Sequence, residues 1–359
     1  MTTRSRTRTS LIASATALLA APLLLAGCST PPPVDEGGAS GDSDFIACAV
    51  SGSGGWNDKS FNEQVYEGLQ TAKSDLGVTV IPFESKTADD FRPGLESLVD
   101  QGCNLIFSIG FDANDAVNDA AAANPDIDFV TVDGFVKDEA TTNLKAVTYA
   151  MSESAFLGGY LAAAHSETHT IGTFGAIQNG AITDFMTGYY NGAQQWAADN
   201  DTPTQVLGWD PATETGVFVG DFVNQVTAKS ISAAQLDQGA DVLFPVAGPL
   251  FAATGEAIKD SGKDVVFIGV DSDVAVTAPD YAAMILTSVE KRTTAAVLEI
   301  IAQASAGEFT PEAYVGTLAN AGTGLSAFHD FASAVSPELQ NALDELATQI
   351  IDGSLDTLG

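Results

Sequence analysis

The chain has 359 residues, enough for two ordinary domains, with a hydrophobic fraction of 45% and a charged fraction of 17%. Against 47 acidic residues stand 14 Lys and Arg, a formal charge of −33. So acidic a surface repels nucleic acid and anionic lipid heads, which excludes nucleic-acid partners and leaves small neutral or cationic ligands, or plain solubility.

The chain opens with a basic stretch, "MTTRSRTRTS", followed by "LIASATALLAAPLLLAGC". That apolar run is too short and too alanine-rich for a comfortable membrane span. It ends in Leu25-Ala26-Gly27-Cys28, the small residues before a cysteine that a lipoprotein signal peptidase requires. Residues 1–27 are therefore predicted to be a signal peptide and Cys28 the lipidated residue. Residues 28–44 are predicted to be a disordered tether, because "STPPPVDEGGASGDSD" has nothing to bury. Extended, those residues reach about 50 Å, which leashes a domain to the outer face of the cell membrane.

Four apolar runs come next, "FIACAV" (45–50), "VTVIPF" (78–83), "NLIFSIG" (104–110) and "IDFVTVDG" (127–134). Each is followed by a longer segment with helical spacing, such as "FNEQVYEGLQTAKSDLG". That alternation predicts α/β architecture: a parallel sheet with helices on both faces and right-handed crossovers. After the small-residue helix "SESAFLGGYLAAAHSE" the pattern repeats. Its strands are "HTIGTFGAI" (169–177), "PTQVLGW" (203–209), "GADVLFPVAG" (239–248) and "DVVFIGVDSD" (264–273). "MILTSVEKRTTAAVLEIIAQASAG" runs from strand into helix, and "PEAYVGTL" predicts one more short strand. A terminal helix follows Ser336, an N-cap candidate.

Cys48 and Cys103 remain after Cys28, and an exported compartment is oxidising. In a doubly wound sheet of order 2-1-3-4-5 their strands are neighbours, so a disulfide fits, as do two buried thiols.

The loop after the first strand, "SGSGGWNDKSFNEQVYEG" (51–68), has the outline of a phosphate-binding loop: strand, glycines, Lys-Ser, helix. It fails the residue test. Aligning Lys59-Ser60 with the end of G-x-x-x-x-G-K-[ST] puts Ser53 and Asp58 where glycines belong, and Asp58 would repel a phosphate. What the loop offers is Trp56, Asn57, Asp58, Phe61 and Asn62 at the carboxyl end of a strand, where open α/β sheets bind ligands. An aromatic face with a carboxylate and an amide suits a neutral, flat, polyhydroxylated molecule. His165 and His169 in "HSETH" straddle a helix end and do not read as a metal pair. No G-x-S-x-G elbow is present, and three histidines leave little material for a hydrolytic triad.

"GGWNDKSFNEQVYEGL" resembles the signature of the basic membrane protein (BMP) family, lipoproteins similar to purine nucleoside receptor A. Further matches follow in order: "IFSIGFDANDAV", "SESAFLGGYLAA", "DFMTGYYNGA", "GADVLFPVAG", "IGVDSD" and "LTSVEKR". The resemblance covers about residues 45–306. It implies a type I periplasmic-binding-protein-like fold: two Rossmann-like lobes joined by three hinge crossings, with an interlobe cleft. The expected lobes are 45–150 plus 290–310 and 151–273 plus 311–359. The implied function is that of a lipid-anchored extracytoplasmic receptor that captures nucleosides, purine ones foremost, and hands them to an ABC permease. It would act as a monomer by hinge closure, with no cofactor and no catalysis. By resemblance, Phe61 and Phe185 stack on the base, Asp271 and Lys291 hold the ribose hydroxyls, Gly248 lies near the sugar, and Asp115 contacts the base. Asp58 and Asn62 are added from the first loop itself. Two departures bear on the ligand: Trp56-Asn57 at the lip, and the bulky Pro249, Leu250 and Phe251 after "VAG". The competing readings are a sugar or autoinducer sensor on the same fold and an exported nucleoside-acting enzyme.

Overall fold

A computed structural model describes residues 44–359. The signal peptide, Cys28 and all but the last residue of the tether lie outside these.

The first lobe is built from β1 (Ile46–Val50), β2 (Thr79–Phe83), β3 (Leu105–Ile109), β4 (Asp128–Val132) and β5 (Leu144–Tyr149). Between them run α1 (Phe61–Leu76), α2 (Phe91–Asp100) and α3 (Asn114–Ala123). Every residue of β3 is buried, as expected of a central parallel strand covered on both faces. After β5 come α4 (Met151–His165) and β6 (Thr170–Gly175). The chain continues through α5 (Gly180–Asp199), β7 (Gln205–Leu207), β8 (Trp209–Asp210), β9 (Thr215–Gly216), α6 (Gln225–Asp237), β10 (Val242–Val246), α7 (Phe251–Ser261) and β11 (Val266–Asp271). It ends with α8 (Val274–Thr277), β12 (Ile285–Lys291), α9 (Thr293–Ser305), β13 (Tyr314–Gly316), β14 (Thr323–Leu325) and α10 (Pro337–Ile351).

The strands form two six-stranded sheets, β13-β5-β4-β3-β1-β2 and β14-β12-β11-β10-β6-β7, with β8 and β9 as a separate two-stranded pair. Five strands of each follow the same 2-1-3-4-5 winding, so each lobe presents a row of carboxyl strand ends. The second lobe's core is closed by α4 against α5, whose backbones nearly touch. A Cβ on Gly159 would sit 1.9 Å from the Tyr189 carbonyl oxygen, and one on Gly192 equally close to that of Phe156. Only glycine permits that approach. The terminal helix α10 starts where expected: Ser336 Oγ accepts the Leu339 N–H, and Leu343, Leu346 and Ile350 pack into the same core.

Three results differ from the sequence reading. Lys145 interrupts the apolar pattern of β5, yet the strand forms because its ammonium is carried to the Glu312 carbonyl and Thr310 Oγ1. Residues 274–289, assigned to neither lobe, contain α8 and most of β12 in the second sheet. Residues 314–316, expected in the second lobe, are β13 and pair with β5 in the first sheet. The final crossing therefore lies between β13 and β14, not near 310. The other two fall between β5 and α4 and between β12 and α9, which packs against α1 in the first lobe's core. Cys48 and Cys103 are bonded, with Cα atoms 6.1 Å apart, pinning β1 to the turn before β3. Closing a loop of that length stabilises by about 4 kcal/mol on the chain-entropy model.

Candidate functional site

The first loop is an anion site that supplies its own anion. The Asp58 carboxylate accepts the backbone N–H groups of Ser60, Asn62 and Glu63, each at 3.0 Å. It also accepts Asn62 Nδ2 at 2.8 Å. Those are the first-turn donors of α1 that a phosphate would need. Asn62 Oδ1 in turn accepts the Gly52 N–H at 2.7 Å. Asp58 and Asn62 border the cleft, as expected, but their polar atoms are engaged within the loop and fix its shape. Trp56 does not border the cleft; it packs on Tyr66 of α1, 5.5 Å between ring centroids.

The carboxyl ends of both sheets line one cleft. Lobe one contributes Phe61, Phe111, Asp112 and Asp133, and lobe two Asn179, Phe185, Phe222, Gly248, Asp271 and Lys291. Of the aromatic pair expected to stack on a base, Phe61 faces the cleft from the first turn of α1. Phe185 also lines the cleft; it is only 1% exposed and packs on Phe244 at 6.3 Å, so the same ring belongs to the second lobe's core. The half-buried ring on lobe two is Phe222, which lies against Gly248. Gly248 has φ 52, a left-handed backbone that favours glycine. Of the bulky residues after it, Pro249 reaches the cleft, whereas Leu250 and Phe251 turn into the core.

The polar end has a symmetry the sequence reading missed. β4 and β11 hold equivalent places in their sheets, and each leads into an aspartate in a left-handed conformation: Asp133 at φ 61 and Asp271 at φ 67. Both lie close to Lys291, the last residue of β12, which is 4% exposed. Its ammonium is ion-paired and hydrogen-bonded to Asp133. It also sits 4.9 Å from the Phe61 ring, 5.4 Å from Phe185 and 5.6 Å from Tyr149. A carboxylate partner and aromatic faces thus surround the buried ammonium. The Asp271 carboxylate accepts Ser60 Oγ at 2.6 Å from the other lobe. Burial pushes the Asp271 carboxyl up, while Lys291 and the Ser60 hydrogen bond draw it back. The aspartate–lysine couple expected between Asp271 and Lys291 is thus a triad in which Asp133 holds the direct contact.

Asp115 does not join the site. The buried face of α3 is Asn114, Val117, Asn118 and Ala121, so Asp115 points outward and pairs with Lys137 at 2.5 Å. The aspartate at the cleft mouth is Asp112. His165 and His169 face different rings, Phe331 and Trp196. Among the described residues no cluster of His, Cys, Asp and Glu has the makeup of a metal site, and no helix is long and apolar enough to cross a membrane.

Two α/β lobes of identical winding around a cleft, lined by strand ends and crossed by three connections, define a fold of the type I periplasmic-binding kind. A solute-binding protein of an ABC transporter system from Aeropyrum pernix has the same fold, with a TM-score of 0.76 at 21% identity, covering 87% of this chain and 92% of that one. One from Conexibacter woesei gives 0.65 at 22% identity, covering 87% and 97%. Residues 45–322 match the Bmp family model, described as ABC transporter substrate-binding protein PnrA-like. The chain belongs to that family. Among its relatives, the ABC transporter nucleoside-binding protein BmpA of Lactococcus lactis is 32% identical over 96% of this chain and 97% of its own length. Basic membrane protein A of Borreliella burgdorferi is 30% identical over 86% and 90%.

Proposed function

We propose that this protein captures ribonucleosides, purine ones foremost, outside the cell and delivers them to an ABC permease without altering them. The observation that carries this reading is the cleft lining, which sets the aromatic faces of Phe61 and Phe222 beside the Asp133–Lys291–Asp271 triad. Phe61 and Phe222, on opposite lobes, close on the base, and each such stacking contact contributes roughly 1–3 kcal/mol. Asp271 accepts a sugar hydroxyl and Lys291 donates to one. A ligand lacking the hydroxyl leaves a buried charge unpaired, at a cost of about 2–3 kcal/mol, which is the source of selectivity. Because both lobes supply groups to each set, the ligand favours the closed arrangement over the open one. Lipidation at Cys28 keeps the receptor beside its permease. The nucleoside-binding name of the Lactococcus lactis relative supports the same reading.

The test is mass spectrometry of the small molecule that copurifies with the protein, followed by incubation of the released compound with fresh protein. An intact purine nucleoside, unchanged after incubation, is the expected result. A free pentose moves the protein to sugar sensing, and cleavage to base and sugar makes it an enzyme.

A further inference from the structure

Ser60 and Gln64 are four residues apart at the start of α1, so they share one helical face. Both reach across the cleft to the same residue. Ser60 Oγ donates to Asp271 Oδ2 at 2.6 Å, and Gln64 Nε2 donates to the Asp271 carbonyl at 2.8 Å. Ser60 is fully buried. Gln64 is itself tied down: its Oε1 accepts the Thr293 N–H at 3.2 Å and its carbonyl accepts Thr294 Oγ1 at 2.9 Å, both at the start of α9. Asp271 needs such support, because it holds a left-handed backbone with no glycine's freedom. Its other carboxylate oxygen, Oδ1, has no protein partner among the described residues.

We propose that Ser60 and Gln64 are positioning residues: a two-point clamp by which lobe one orients the carboxylate of lobe two and leaves a single oxygen, Oδ1, for the ligand. The proposal rests on Asp271 being the sugar-gripping carboxylate. The charged groups around Asp271 are Lys291, which favours its ionised form, and Asp133 and Asp58, which oppose it. Glu290, its neighbour across β11 and β12, is bonded to Arg292, and Asp273 to His329. Ser60 is the hydroxyl that bonds the carboxylate directly, so its loss has a signature that loss of Gln64 lacks.

The first arm of the experiment needs no ligand. The Asp271 side-chain carbon is titrated by NMR in the intact protein, assigned with Asp271→Asn, in wild type, Ser60→Ala, Ser60→Thr and Gln64→Ala. Ser60→Ala is expected to raise the Asp271 midpoint by about half a unit or more, Ser60→Thr to restore it, and Gln64→Ala to leave it in place. In the second arm, guanosine and 2′-deoxyguanosine are titrated into the same proteins. Ser60→Ala and Gln64→Ala are expected to weaken guanosine binding about tenfold and to shrink its advantage over the deoxy form. An unmoved midpoint in folded Ser60→Ala overturns the clamp, as does unchanged guanosine affinity in both variants. Should wild type bind neither compound, the nucleoside reading fails while the titration still decides the clamp.

Discussion

Asp133 and Asp271 stand at matching strand ends of two lobes with the same winding, and both take a backbone that non-glycine residues avoid. Their chemistry diverges through their partners. Asp133 is taken up by Lys291, whereas Asp271 receives a hydroxyl from the other lobe and lines the cleft. The lesson is that a doubly wound lobe supplies the position of a carboxylate, and the opposite lobe decides its role. One aspartate pairs with a buried cation, and the other, on the proposed function, is held for the ligand.

That contrast can be broken at either carboxylate. Asp133→Ala strands the Lys291 ammonium and is expected to cost about 3–5 kcal/mol of folding stability, measured by denaturant unfolding. Stability within 1 kcal/mol of wild type, as for a surface ion pair, would show that Lys291 finds other support. Asp271→Asn is expected to do the reverse: ribonucleoside affinity falls by about 2–3 kcal/mol in calorimetry while folding is kept or improved at neutral pH. Folding improves because burial raises the native-state pKa of this carboxyl above its unfolded value, so its ionisation opposes folding above that native pKa. Below the unfolded pKa the part of that stability difference owed to ionisation vanishes.

The aromatic end sharpens the same division between structure and binding. Phe222→Ala is expected to cost about 1–3 kcal/mol of nucleoside affinity and little stability. Phe185→Ala, in contrast, should chiefly lower the melting temperature, because that ring belongs to the core around Phe244 and Tyr189. Equal losses of affinity would return Phe185 to the role the motif suggested. The smallest effect is on pH dependence. As pH falls, ribonucleoside affinity is expected to decline at a higher pH than an ordinary aspartate near 3.9 would dictate, because burial raises Asp271 and its protonation removes an acceptor. A flat affinity through that range contradicts the assignment.

Much of the fold was legible because buried parallel strands are continuous apolar runs, and the gaps between them carry helical spacing. The misses have local causes. In β5, "LKAVTY" conceals a strand behind Lys145; the short strand expected in "PEAYVGTL" does form, as β13, but it pairs with β5 in the first lobe. At the site, Phe61, Gly248, Asp271 and Lys291 were legible through motifs at strand ends. Asp133 was not, because its partner is 158 residues away, although "VDG" and "VDSD" end equivalent strands. Phe222 lies in a loop with no periodicity to mark it. Asp115 was misplaced by helix phase: the motif gave the residue, and only the packing of α3 gave its direction.

The account stands on a ribonucleoside held between aromatic faces with its sugar on Asp271 and Lys291. Calorimetric titration of the wild-type protein with guanosine, 2′-deoxyguanosine and ribose tests it most directly. Tight binding of guanosine, binding of the deoxy form weaker by about tenfold or more, and no measurable heat from ribose are the expected results. Ribose binding as tightly as guanosine, or the two nucleosides binding alike, would contradict it.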